Sequence, residues 1–288
     1  MRLNGRRESS NVEDRRGLSG GMKAGIGIGG IIMAVVFALM SGGDLSTVLP
    51  TVLEQATQPA QQQQGEYKPT AEEQKFEKFS KQILAGTEDV WTELFSEQGA
   101  EYKAPTLVFF TGAVQSACGS ATSQVGPFYC SGDQKLYIDL SFFKQMDDEM
   151  KAGGELAHAY VIAHEVGHHI EYSTGLLNQV HKKMSQVSET EKNQLSVRLE
   201  LLADYYAGVW AHHDDKNYNS IDDKDIEEAI NCAQKIGDDY LQKQARGYAV
   251  PESFSHGTSQ QRARWFRKGL QSGKFELQPT FTIPYSEL

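Results

Sequence analysis

Cysteine is scarce: three residues in a chain of 288, too few for a small disulfide scaffold and enough for one bridge with one thiol left over. An excess of positive charge is also missing. The 28 Lys plus Arg stand against 38 Asp plus Glu, a formal net charge of −10, which excludes the general basic footprint of a nucleic-acid-binding protein. Internal repeats are absent too. With 39% hydrophobic and 10% aromatic residues the composition is that of a globular protein, so wholesale disorder is excluded as well.

What positive charge there is gathers at one end. Residues 1–23 hold Arg2, Arg6, Arg7, Arg15, Arg16 and Lys23 against Glu8, Glu13 and Asp14, and an uncharged apolar run follows directly, Ala24 to Met40, extending to Gly43. A helix of about 20 residues spans a hydrocarbon layer of about 30 Å, and cations mark the cytoplasmic flank of such a span. The expected organisation is a basic cytoplasmic tail (1–23), a single-pass transmembrane anchor (24–43), and an exported remainder, periplasmic or extracellular. A cleaved signal peptide fits less well, because the tail before the run is long and no A-x-A pattern follows it. Residues 44–70 are polar and rich in glutamine, unable to bury enough surface to fold alone, and read as a linker to one domain over 71–288.

Within that domain, apolar spacing predicts one long helix or a helix pair over Glu72 to Phe95, with Gly86 a point of interruption. Strands are predicted over Thr106 to Thr111 and Lys135 to Leu140, the latter as an edge strand that aligns an extended substrate. Helices are predicted over Glu155 to Tyr172, Glu189 to His213, Asp222 to Arg246 and Ser259 to Leu270. The fold class is α+β, mostly helical with a small sheet.

In the first of those later helices stands His164-Glu165-Val166-Gly167-His168, an H-E-x-x-H. Residues four apart share a helix face, so His164 and His168 can reach one ion together. Two imidazoles suit zinc, and Glu165 is placed as general base for an attacking water. The apolar flanks, Ala159, Val161, Ile162, Ala163, Val166 and Ile170, imply a buried element, and buried polar groups need partners. A third ligand is required. Glu171 and Thr174 stand where a metzincin continuation needs Gly and His, which excludes that subclass. Glu200 and Asp204, four apart in the next helix, supply the natural third ligand and a group that orients a ligating histidine. Glu171, His181, Glu189 and Glu191 are rival ligands, whereas His158 and His169 fall off the ligand face.

Near the C-terminus, His256 and Arg262 are candidates for stabilising an oxyanion or supporting the site, with helix capping by Thr258 or Ser259 and an ion pair of Arg262 explaining the same residues without catalysis. Cys118 and Cys130 flank a short loop of small and turn-forming residues, and an exported domain permits a disulfide between them. Cys232 reads as a buried apolar residue.

At these residues the chain resembles the YpfJ-type neutral zinc metallopeptidase family of bacteria. The likeness runs through RRESSNVEDRRG, CGSATSQVGPFYCSGDQKLYIDLSFF, HEVGHHIE, RLELLADYYAG and SFSHGTSQQRARWF, almost the whole chain. It implies an inner-membrane-anchored protein with a zincin-like domain, one zinc per chain on two His and one Glu, and peptide-bond hydrolysis. The E-x-x-A-D and H-G-T-S-Q-Q-R runs also look like distant versions of membrane-associated Glu-zincins, with Gly257 where those carry proline. The implied partners are a peptide or protein substrate, the membrane through residues 24–43, and envelope proteins. Two rival functions share the metal: a non-catalytic, zinc-stabilised envelope binding module, and a zinc amidase acting on cell-wall peptides.

Overall fold

The computed structural model describes residues 1–17 and 67–288. Its first long element is α1 (Ala71–Glu97), started by a capping box in which Thr70 and Glu73 satisfy each other's backbone N–H groups. Ile83, Leu84, Val90, Trp91, Leu94 and Phe95 form its buried stripe. Gly86 does not interrupt it. A Cβ there would stand 3.1 Å from an oxygen of Asp214, so the glycine marks a close approach of another element.

A mixed sheet packs beside it. The order is β1 (Val12–Asp14), β2 (Thr106–Phe110), β6 (Lys135–Asp139) and β5 (Phe128–Cys130), parallel, parallel and then antiparallel. Between β2 and β5 the chain makes a small hairpin, β3 (Ala113–Ser116) with β4 (Gly119–Thr122). Cys118 at its tip is disulfide-bonded to Cys130 at the end of β5, with Cα atoms 5.8 Å apart.

After β6 the described chain is helical: α2 (Ser141–Asp148), α3 (Glu155–Ser173), α4 (Leu176–Met184), α5 (Glu189–Tyr218), α6 (Asp223–Lys235), α7 (Asp238–Arg246) and α8 (Ser259–Ser272). Helix α3 is buried along most of its length, α5 and α6 pack against it, and α8 packs in turn against α5 and α6. Glycine sets the two closest crossings. A Cβ on Gly167 of α3 would meet the Ala203 backbone of α5 at 2.8 Å, and one on Gly269 of α8 would meet the Tyr205 carbonyl oxygen of α5 at 2.0 Å. Any side chain at either point would force the helices apart.

Three expectations are corrected. The strand over 135–140 is an interior strand, hydrogen-bonded to β2 on one side and β5 on the other, so it has no free edge to offer. The outer strands are instead β1 and β5, each of three residues, too few to stand out in the sequence. The helix over Asp222 to Arg246 breaks at Ile236 and Gly237, because Gly237 is pressed against the start of α8, where a Cβ would lie 2.3 Å from the Ser259 nitrogen. Residues 1–17 of the basic tail do not stand apart; they lie on the domain and contribute β1, since their cations find carboxylate partners there. The predicted anchor, 24–43, lies outside the described residues. Among the described residues no helix is long and apolar enough to cross a membrane.

Candidate metal centre

His164 and His168 lie one turn apart on α3, their ring centroids 4.8 Å apart. The Gly167–Ala203 contact brings α5 close enough for Glu200 to face both rings. Its Oε2 is 3.2 Å from His164 Nε2 and its Oε1 3.6 Å from His168 Nε2. The three side chains offer donor atoms that all lie within 4.8 Å of one another, and they form the one such cluster of His, Cys, Asp and Glu among the described residues. His181, Glu189 and Glu191 are not part of it. Glu191 instead caps α5 through Ser188, and Glu189 pairs with Lys192.

The other ring nitrogens are held from behind. His164 Nδ1 lies 2.8 Å from Asp204 Oδ1, and His168 Nδ1 lies 2.9 Å from Glu171 Oε2. Each carboxylate accepts the Nδ1 proton, which turns Nε2 toward Glu200 and makes it the atom a metal would take. Asp204 is fully buried and is itself clamped: Tyr160 donates its hydroxyl, and Arg262 donates Nε at 2.9 Å and Nη2 at 3.0 Å. Arg262 thus lies behind the histidines, where it fixes Asp204. Burial alone would raise the Asp204 carboxyl, but Arg262 and His164 hold it down at about 2.

Glu171 was legible only as a rival ligand. Its position three residues after His168 puts it on the same helix face, which is the signal for the orienting role it takes here. Its second oxygen, Oε1, is buried with no hydrogen-bond partner among the described residues. Burial pushes the carboxyl up to about 7 against the pull of His168. His168 itself, lowered by burial, is carried up to about 10 by Glu171, Glu200 and Glu165. Carboxylates outnumber cations around the two imidazoles, an electrostatic setting that a divalent cation would neutralise. Two imidazoles with their Nε2 atoms turned to one carboxylate are a donor set that fits zinc.

Glu165 is half-buried next to this cluster. Burial raises its carboxyl, opposed by His168, His164 and the backbone of Tyr129 in β5. That strand is placed by His169, whose Nε2 donates to the Lys103 carbonyl at 2.7 Å while Nδ1 accepts from the Tyr129 hydroxyl at 2.9 Å. His158 lies away from the site, bonded to Asp147 at 3.0 Å and packed among Phe76, Phe79 and Phe143.

His256 is exposed on the loop before α8. Burial would lower its imidazole, yet the charges of Glu200 and Asp238 raise it. Asp238, unnoticed in the sequence, holds this loop: its Oδ2 accepts the backbone N–H groups of Ser255 and His256 at 2.7 Å and of Gly257 at 3.1 Å. Its Oδ1 lies 3.1 Å from His256 Nδ1. Thr258 caps α8 through a reciprocal bond with Gln261, as capping alone required.

Comparison with known proteins fits this donor set. A family model described as "Putative neutral zinc metallopeptidase" matches residues 1–281. The chain is 44% identical over 282 residues, 95% of its length and 96% of the relative's, to "Uncharacterized protein YpfJ" of Escherichia coli (strain K12). It is 37% identical over 191 residues, 63% of its length and 64% of the relative's, to "Uncharacterized protein Rv2575" of Mycobacterium tuberculosis (strain H37Rv). No solved structure matches.

Proposed function

The chain belongs to the neutral zinc metallopeptidase family, and from that premise we propose that it is a zinc-dependent endopeptidase in which Glu165 is the general base. The observation that carries this reading is the paired clamp: two imidazoles on one helix face, each with Nδ1 tied to a carboxylate and Nε2 turned toward Glu200. His164, His168 and Glu200 would hold the zinc. When bound, zinc would supply Lewis acidity, polarising a substrate carbonyl and lowering the pKa of a water toward about 7.

The chain's own residues do the rest. Glu165 takes a proton from the attacking water at its carboxylate and returns it to the departing amine. Its burial suits it to that exchange, because a raised carboxyl pKa lies nearer neutral pH. Asp204 and Glu171 keep both histidines in the tautomer that binds metal, and Arg262 with Tyr160 keeps Asp204 ionised and in place. His256, steadied by Asp238, is the candidate donor to an oxyanion on the substrate. An extended peptide adds to the free edge of β5, the strand nearest Glu165. A membrane attachment through residues 24–43 belongs to the same reading, supported by the length and apolarity of that run.

The test is hydrolysis of an unstructured protein by the full chain and its Glu165→Gln variant at matched zinc content. The parent is expected to cleave and the variant to be about 10²- to 10⁴-fold slower. Equal zinc with no cleavage of protein by either, alongside release of cell-wall peptide fragments, would favour the amidase. No turnover of any amide would favour the binding module.

A further inference from the structure

His169 follows the second of the clustered histidines on α3 but lies off their face, and it is 1% exposed. The rings of Tyr102, Tyr129 and Tyr172 surround it at centroid distances of 5.8, 5.4 and 6.3 Å. Its two nitrogens join stretches far apart in the chain. A carbonyl oxygen can only accept, so the contact of Nε2 with Lys103 puts the proton on Nε2, and Nδ1 is left to accept from the Tyr129 hydroxyl. The imidazole is thereby fixed in one tautomer and one orientation.

The side chains of β5 alternate across the sheet. Phe128 stacks on Tyr137 with ring centroids 4.8 Å apart, and Cys130 packs in the same cluster with Val108, Phe110 and Val114, under the β3–β4 hairpin. Tyr129 is the one residue of β5 turned to α3. Glu165 and His169 are four apart on that helix and share a face, and Tyr129 reaches both positions. Its hydroxyl is bonded to His169, and its backbone is close enough to Glu165 to act on the carboxyl. Pairing with β6 fixes β5 within the sheet, but a backbone ladder does not fix the sheet along a helix. The Tyr129–His169 bond is the one side-chain hydrogen bond between β5 and α3 among the described residues.

We propose, on the basis of the peptidase reading, that Tyr129 is a positioning residue: anchored on His169, it sets the register of the β5 edge against the turn of α3 that carries Glu165, and so selects which bond of an extended substrate is cut. A peptide paired with β5 moves with the strand. If β5 slides along α3 the pairing survives, so binding is little changed, but the scissile carbonyl leaves its place beside Glu165. Misplacement by about 1 Å can cost about 100-fold in rate.

The experiment compares the full chain with its Tyr129→Phe and Tyr102→Phe variants at matched zinc content. Tyr102 packs against the same imidazole, yet its buried hydroxyl has no hydrogen-bond partner among the described residues, so its loss breaks no link. Cleavage products of an unstructured protein are mapped by mass spectrometry, kcat and KM are measured on one extended peptide, and hydrogen exchange is followed at residues 128–130. Tyr129→Phe is expected to lower kcat about tenfold at unchanged KM, to spread the cuts to bonds adjacent to the parent's sites, and to speed exchange in β5. Tyr102→Phe should match the parent in all three. Parental cuts and kcat in Tyr129→Phe, or equal changes in both variants, would overturn the positioning role alone. A parent that cleaves nothing would overturn the peptidase reading and this role with it, while exchange would still report whether Tyr129 holds the strand.

Discussion

Gly167→Ala tests whether the closeness of two helices is what assembles the metal centre. The added methyl would lie 2.8 Å from Ala203 Cα, 2.9 Å from its carbonyl oxygen and 3.1 Å from its Cβ. Relaxed carbon contacts fall at about 3.5 to 4.0 Å, so α3 and α5 must part by ~0.7 to 1 Å. Overpacking of this kind costs about 1 to 3 kcal/mol, a fall in melting midpoint of about 2 to 12 °C in a domain this size. The same movement carries Glu200 away from the histidines, and ligand distances tolerate only about 0.2 Å. If ~1.4 kcal/mol of the strain is relieved at the ligands, zinc affinity falls tenfold. Competition against a chromophoric chelator reads the affinity, and a thermal melt reads the fold. A variant matching its parent in both would refute the argument that this crossing sets the site.

Asp204→Asn should weaken zinc binding by about 10- to 100-fold through loss of the His164 orienter, measured by the same competition, and Glu171→Gln should act in the same range through His168. Asp214→Ala leaves Arg6 buried without its partner and should cost about 3 to 5 kcal/mol by denaturant unfolding; a change within error would mean that the N-terminal segment does not dock. A chain beginning at Ala71 loses β1 and these ion pairs, and should melt below the full chain. Reducing the Cys118–Cys130 bridge should cost about 3 kcal/mol by the chain-entropy argument, and an unaltered midpoint in reductant would contradict it.

The grouping of His164, His168 and Glu200 was legible because its determinants are local and periodic. The H-E-x-x-H spacing places both histidines on one face whatever surrounds the helix, and E-x-x-x-D does the same for Glu200 and Asp204. The long helices and the strands of residues 106–110 and 135–139 were legible for the same reason, through unbroken apolar patterns. What escaped depends on partners distant in the chain. Residues 12–14 become a strand only because residues 107–109 are there to pair with, and the basic run read as a cytoplasmic tail because Asp214, Glu88 and Glu77, which pair with its arginines, lie far along the chain. β5 is three residues long and owes its importance to position beside Glu165 rather than to composition. Asp238 fell inside the single helix expected over Asp222 to Arg246; its role comes from three backbone N–H groups contributed by a loop 17 to 19 residues away.

The central claim is that hydrolysis is carried by one zinc held by His164, His168 and Glu200. Titrating zinc into metal-stripped full chain while following cleavage of an unstructured protein tests it most directly. The account predicts that turnover rises with zinc and stops rising at one equivalent per chain, and that Glu200→Ala shows no such rise. Turnover in the stripped protein, or one tightly bound equivalent of zinc that restores none, would contradict it.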